Sequence, residues 1–170
     1  MLLKYNGFSD LEETFLKIAK DYGIQDTRKN VLVPAAKNAF EIVLTAAKNN
    51  LVPGHGLDTG QLKKTLRINA RAVKNKDYRS KYVNHGDVVI AYVSAKLEKK
   101  YIKSEKSKYG IKNVGDLSDA RAIAVEFGTA KMPAKPYLRP AIESNYQAVT
   151  SRLSIELKKQ IDSYVSKKFS

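Results

Sequence analysis

The residue group that most resembles known catalytic machinery is Asp58-Thr59-Gly60, the tripeptide of aspartic proteases. In those enzymes two close carboxylates share one proton, because both cannot ionise together. Their aspartate follows an apolar strand, whereas here Gly54-His55-Gly56 precedes the tripeptide and an amphipathic turn follows it. We therefore expect a structural turn, with Asp58 or Thr59 capping the turn that starts at Gln61.

A metal centre has little support in the composition. The sequence has no cysteine, which excludes thiolate zinc sites, iron–sulfur clusters, disulfides and cysteine nucleophiles. His55 and His85 both lie beside glycine in predicted loops. Asp58, Asp87 and Glu126 are the candidate magnesium ligands of a nuclease, but nothing in their spacing brings them together. We expect no cofactor, no metal and no enzymatic activity.

Positive charge is the strongest compositional feature, with 31 Lys and Arg against 17 Asp and Glu and a net charge of +14. Such a charge attracts polyanions such as DNA, RNA or acidic proteins, whatever the fold. The candidate DNA-facing residues lie on one face of a predicted strand and in a lysine-rich segment, and they are Arg67, Arg71, Lys99, Lys100, Lys103 and Lys106. For the lysine-rich segment, a merely solvated surface is an equally good interpretation.

Helical periodicity is clear in the first third of the chain. The spacing of apolar residues predicts a helix over 9–23, with Ser9 as its cap and Gly23 at its end. An alanine-rich stripe predicts a second helix over 27–50, in which Pro34 marks either a first turn or a kink. The glycines and proline of residues 52–60 predict a loop.

A change to period two after residue 65 predicts a strand, with Leu66, Ile68, Ala70 and Ala72 on one face. A turn at residues 84–87 and a β-branched run at 88–95 complete an antiparallel hairpin. Residues 96–117 are predicted to be a lysine-rich loop or helix excursion, and residues 120–127 suit either a strand or a helix. From Pro136 almost to the end, steps of three and four predict one long amphipathic helix, whose apolar face includes Ile142 and Tyr146.

These elements predict an α+β class: one domain over 1–170, in which a small antiparallel β-sheet packs with the alanine-rich helix and the long C-terminal helix. No run of about 18 uncharged apolar residues occurs, so a membrane span is not expected.

Two motifs resemble a known family. Glu126-Phe127-Gly128-Thr129 is followed after a short loop by residues 132–141, Met-Pro-Ala-Lys-Pro-Tyr-Leu-Arg-Pro-Ala. Together they resemble the C-terminal signature of the tail-completion, or head–tail joining, minor tail proteins of long-tailed bacteriophages. In that family a turn similar to Asp58-Thr59-Gly60-Gln61-Leu62 likewise follows an alanine-rich helix. The resemblance covers about residues 28 to 165, and the sequence departs from it at Gly54-His55-Gly56 and in the lysine-rich excursion.

The resemblance implies a structural virion protein, made in the host cytoplasm, that forms a ring on the head-proximal end of the tail tube and joins the tail to the neck of the filled capsid. The implied partners are further copies of itself (a hexamer in the virion, with a monomer in solution compatible), the tail tube protein, a neck or head-completion protein and passing DNA, with no membrane. The implied subunit or neck interface comprises Asp58, Thr59, Gly60, Glu126, Phe127, Gly128, Thr129, Pro136, Tyr137, Leu138, Arg139 and Pro140. A charge pair between Glu126 and Arg139 fits this picture, and a role confined to the fold is the alternative for the whole set.

A function of another class also fits the charge. A basic protein that acts alone and binds nucleic acid without sequence specificity would use the hairpin and the lysine-rich segment as its platform. It would bind tightly and in a salt-sensitive manner as an isolated protein.

Overall fold

Helices at both ends of the chain and one hairpin between them form the framework of the computed structural model, which describes residues 8–51, 61–96 and 120–168. The mixed helix and strand class is confirmed, and the two strands pair in an antiparallel sheet. The helices are α1 (Phe8–Tyr22), α2 (Ile24–Thr27), α3 (Val33–Ala39), α4 (Glu41–Asn50), α5 (Gln61–Thr65), α6 (Ala120–Phe127), α7 (Leu138–Glu143) and α8 (Tyr146–Lys168). A π-helical turn (Arg28–Leu32), strands β1 (Leu66–Ala72) and β2 (Val89–Ala95) and a 3₁₀ helix (Asn75–Arg79) complete the set.

The contacts group the chain into two compact units, each assembled from separate stretches of sequence. The first contains Met1–Glu41, Asn69–Tyr92 and Tyr146–Ser170, and the second contains Ile42–Ile68 and Val93–Asn145. Within the described ranges, no helix has both the length and the apolar character needed to cross a bilayer.

The first unit is built around α8, which packs against α3, the π-helical turn and α1. One cluster of its core consists of four buried side chains, Ile18, Val31, Ile161 and Tyr164. The predicted apolar faces of the first and last helices supply three of them, as the helical period requires. Ser9 lies inside α1 and is therefore not its cap, but the predicted end at Gly23 is confirmed by a positive φ of 87° there.

Proline shapes the second predicted helix. The chain is helical from Ile24 to Ala39, but the π-helical turn widens it directly before α3. Pro34 lies in the first turn of α3, where its missing N–H is tolerated, and this was one of the two predicted alternatives. Phe40 then separates α3 from α4.

The predicted long C-terminal helix is confirmed over Tyr146–Lys168, but its predicted start at Pro136 is wrong, because α7 ends at Glu143 and α8 begins only at Tyr146. The Asn145 side chain donates a hydrogen bond to the Ala141 carbonyl at 2.9 Å. Short polar side chains of this kind compete with the helical ladder for backbone groups. Ile142 and Tyr146, predicted to lie on the buried face, are 45% and 70% exposed.

The predicted hairpin is confirmed, with the turn closed by a hydrogen bond from Asp87 N to Asn84 O at 3.0 Å. The predicted alternation in β1 holds only at its start, where Leu66 is buried and Arg67 is exposed, because the remaining five residues are all half-buried. The undecided segment 120–127 is helical, as α6.

A polar cluster around the buried Tyr164 connects α8 to α2 in the first unit. The Tyr164 hydroxyl donates a hydrogen bond to Asp26 Oδ2 at 2.5 Å, and Lys168 Nζ lies 3.7 Å from the same oxygen. The Tyr22 ring packs edge-on against Tyr164, with ring centroids 5.8 Å apart. Burial, and then the hydrogen bond to Asp26, raises the pKa of Tyr164 to about 12. The neutral phenol is therefore favoured in the folded state.

This shift predicts an alkaline loss of stability. The unfolded chain releases the Tyr164 proton near pH 10, whereas the folded chain holds it to about pH 12. The stabilisation of the folded state by the neutral Tyr164 is therefore fully present below pH 10 and is lost as the pH rises from 10 through 12. At pH 8, Tyr164→Phe should lower the melting temperature by roughly 2 to 4 °C, as expected for one hydrogen bond. The difference in melting temperature between Tyr164→Phe and wild type should become smaller between pH 10 and 12. Tyr146→Phe, at an exposed position of the same helix, is the control, and an unchanged difference at alkaline pH would contradict the prediction.

Candidate functional site

The two motifs at residues 126–129 and 132–141, together called the signature below, both lie in the second unit. One carboxylate connects them. Glu126, near the end of α6, is only 5% exposed. Its Oε2 accepts hydrogen bonds from the backbone N–H groups of Tyr137 at 2.8 Å and Leu138 at 2.9 Å, and its Oε1 accepts one from Arg139 at 3.1 Å. These donors are the free N–H groups at the start of α7, which no side chain of its own N-cap residue satisfies. Glu126 therefore caps α7 from another helix.

The turn between α6 and α7 brings the start of α7 within hydrogen-bonding distance of the Glu126 carboxylate. Gly128 has a φ of 77°, and a Cβ there would lie 2.7 Å from Ala134 N and 2.9 Å from Met132 O. Both clashing atoms belong to the backbone and cannot rotate away, so this position requires glycine. Thr129 and Met132 bond to each other through N–H and carbonyl groups at 2.8 and 3.2 Å, which closes the turn.

The start of α7 is also anchored from the opposite side. Tyr137 is fully buried and Ala141 is 1% exposed. The Asn50 side chain at the end of α4 donates a hydrogen bond to the Tyr137 carbonyl at 3.0 Å. Lys135 N donates to Val125 O at 2.8 Å, which ties the approach to α7 onto α6. The backbone entering α7 is thus held by α4 and α6 together.

The signature has an exposed part as well as this buried framework. Phe127 is 66% exposed, and Ile123, one turn earlier on α6, is 56% exposed. Gly128 and Leu138 are half-buried, and the other exposed signature residues are Thr129, Pro133, Ala134, Pro136, Arg139 and Pro140. The framework therefore holds a fixed surface that includes a large aromatic side chain in water.

A scan against protein-family models and searches of curated proteins and of solved structures find no match to this chain.

The predicted charge pair between Glu126 and Arg139 takes a different form from the one expected. Glu126 accepts the backbone N–H of Arg139, and the Arg139 side chain is exposed. Tyr137, which the resemblance implies as an interface residue, is completely buried, so its side chain is not part of the surface. The sequence did carry a signal for the cap: α7 starts beside Tyr137, a residue without a capping oxygen in reach, so another group had to accept its first N–H groups.

The candidate DNA-facing residues are separated by the structure into three groups. Arg67 has an exposed side chain. Arg71 is half-buried and bonds through both terminal nitrogens to the Asp77 carboxylate, with Nη2 2.7 Å from Oδ1, and this contact holds the pKa of Asp77 well below its usual range. The charge of Arg71 is therefore neutralised inside the chain. The lysines at positions 99, 100, 103 and 106 lie outside the described residues.

The candidate metal ligands are engaged elsewhere or lie outside the described ranges. Asp58, Thr59 and Gly60 lie outside the described ranges. Asp87 Oδ2 accepts the N–H of Asn84 at 2.8 Å, and Glu126 serves α7. His85 stacks on the Tyr78 ring with centroids 4.9 Å apart. In the described part of the chain, no group of three or more acidic or histidine residues is arranged to hold a metal ion.

The cap predicts a specific order of stabilities for variants of Glu126. Glu126→Ala should lower the free energy of unfolding by about 2 to 3 kcal/mol, because three N–H groups lose their acceptor. Glu126→Gln should cost less, since its amide keeps one accepting oxygen. Glu143→Ala, at an exposed position at the end of α7, is the matched control and should be close to wild type. Denaturant unfolding measures all three, and equal stability of the alanine variant and the control would exclude the cap as a stabilising interaction.

Proposed function

We propose that this protein is a structural component of a long-tailed bacteriophage, which forms a ring at the head-proximal end of the tail tube and joins the tail to the neck of the DNA-filled capsid. The resemblance of residues 126–129 and 132–141 to the tail-completion signature is the starting point. The observation that carries the proposal is the three-bond cap from Glu126 to α7, because it makes the two halves of the signature a single structural unit.

The division of the signature into buried and exposed parts supports this role. Glu126 and Tyr137 hold the backbone from inside, while Phe127, Thr129 and Arg139 face solvent. A surface that is rigid before assembly loses little conformational entropy when a partner binds. A ring needs such prepared surfaces on every subunit, since each one meets a different patch of the next. The role requires neither catalysis nor a cofactor.

The charge of the protein fits a position where DNA passes. A net charge of +14 favours sequence-independent contact with phosphates. Of the candidate residues that the structure describes, Arg67 is the one we assign to this contact, because Arg71 is already paired with Asp77.

Electron microscopy of lysates from a parent phage with this gene disrupted tests the proposal. Filled heads and finished but unattached tails should accumulate, and expression of the wild-type protein in trans should restore virions. A chain with Ile155→Lys, an exposed substitution on α8, should restore them equally well. Intact virions in the disrupted strain would refute the joining role.

Non-specific nucleic-acid binding by the isolated protein is the second candidate, and one surface favours it. Lys74, Lys76, Arg79 and Lys81 are all exposed within the connection from β1 to β2. Beside them Tyr82 is 79% exposed, with Lys81 Nζ 5.0 Å from its ring centroid. Basic side chains next to an exposed aromatic ring suit a single strand, whose phosphates and bases they can contact in turn.

This candidate predicts binding that weakens steeply with salt. The dissociation constant for a single-stranded oligonucleotide should rise with ionic strength, and replacing Lys74, Lys76, Arg79 and Lys81 by glutamine should reduce the slope of log K against log salt by roughly 3, at about 0.7 per phosphate contact. The same substitutions at four exposed helical positions, Lys17, Lys20, Lys159 and Lys167, form the control. Fluorescence anisotropy across a salt series measures both, and a shallow slope for wild type would remove this candidate.

A further inference from the structure

Helix α6 carries apolar side chains on both of its faces. Ala122, Val125 and Glu126 are buried on one face. Ile123 and Phe127 are 56% and 66% exposed and, at a spacing of four residues, share the other face. We name these two exposed side chains the α6 ridge. An exposed isoleucine and phenylalanine stacked on one helical face is the composition of an interface core.

The first unit contains an apolar groove of about 290 Å³. Its walls come from the π-helical turn and α3, from α8 and from the chain that enters β2, and they are formed by Leu32, Ala36, Gly86, Asp87, Val88, Val89, Leu153 and Leu157. Val88 in this wall is 43% exposed. Because these residues bound one opening, we name it the α3–α8 groove.

The ridge and the groove match in size and in charge. An apolar cavity of about 150 Å³ accommodates a benzene molecule, so a groove of about 290 Å³ has room for the Phe127 ring and part of Ile123. The groove contains one acidic side chain, Asp87, and the turn that directly follows the ridge contains an exposed Lys131. Opposite charges at the two surfaces favour one register of contact.

We propose that the α6 ridge of one subunit inserts into the α3–α8 groove of a second copy of this chain. The inference rests on the proposed function, since a ring needs a contact between two different surfaces of the same protein. The ridge and the groove are such a pair: each subunit has one of each, so the contact is heterologous and passes from subunit to subunit. Phe127 is the aromatic anchor of the contact, and the groove excludes water from it.

Complementation between two variants tests this contact with the full-length chain. Phe127→Lys removes the ridge and keeps the groove, whereas Val88→Lys blocks the groove and keeps the ridge. Each variant alone should be monomeric by light scattering at concentrations where wild type associates, with association weakened roughly 30-fold or more, as for loss of an aromatic hot spot. Their equimolar mixture should form a dimer and nothing larger, because only one productive contact is left. Ile155→Lys makes the same chemical change at an exposed site and should associate like wild type.

Cross-linking identifies the contact even where association is weak. The sequence has no cysteine, so single cysteines react without background. Gly86→Cys places a thiol at the groove, where a Cβ meets nothing within 4 Å, and Ala130→Cys places one in the exposed turn after the ridge. With a short bis-maleimide and equal amounts of the two variants at high protein concentration, the mixed 86–130 product should rise well above the amount that random pairing gives, which by itself already exceeds either same-site product.

The outcomes separate this inference from the proposed function. The ridge-and-groove contact would be overturned if the yield of the 86–130 product were no higher than the yield obtained when Ile155→Cys replaces one of the two variants. A predominance of the 86–86 or 130–130 product would overturn it as well. So would full association of Phe127→Lys, provided its melting temperature shows that it is folded. Headless tails in the gene-disrupted phage together with such a result would leave the joining role standing with a different interface.

Discussion

The start of a helix must find acceptors for its first N–H groups, and at α7 this requirement is met by a carboxylate from another helix. Because Glu126 accepts three of these groups, hydrogen bonds tie the start of α7 to α6, and moving α7 away would leave the buried Tyr137 N–H without this acceptor. The turn at Gly128 and the burial of Tyr137 follow from the same constraint. The exposed ridge beside them is held in place as a result.

A second buried carboxylate organises the first unit in a comparable way. Glu156 on α8 is 3% exposed, and it accepts a hydrogen bond from the Asn38 side chain at 2.9 Å and pairs with Arg152 Nη2 at 2.9 Å. Burial of a charge costs free energy unless its lone pairs are filled. These polar contacts therefore favour one orientation of α8 about its axis relative to α3. The apolar contacts alone would be less selective for that orientation. The same helix keeps Ile155 60% exposed beside it.

The sequence predicted the elements that depend on local periodicity, such as α1, the hairpin and most of α8. It did not predict the break at Asn145, because the apolar spacing continues through it and the competing hydrogen bond to Ala141 is a local polar effect. It placed Ile142 and Tyr146 in the core for the same reason. For the site, the interface role of residues 126–129 and 136–140 stays a prediction, and the expected charge pair between Glu126 and Arg139 missed the helix cap, since the identity of a long-range partner depends on tertiary structure. The pairing of Arg71 with Asp77 was not predicted, although the two are six residues apart. A strand pattern describes the residues of β1 only, and it does not show that the segment after β1 brings Asp77 back to Arg71.

The division of the chain into interleaved units bears on the order in which the protein can fold as it is synthesised. Tyr164 follows its partner Asp26 by 138 residues, and Ile161 follows Ile18 by 143 residues and Val31 by 130 residues. All segments of the second unit, in contrast, precede residue 146. The segments of the second unit therefore all leave the ribosome before α8, the helix that completes the core around Ile18 and Val31. Until then the earliest segments of the chain expose apolar surface, and they are the ones that a chaperone would contact first.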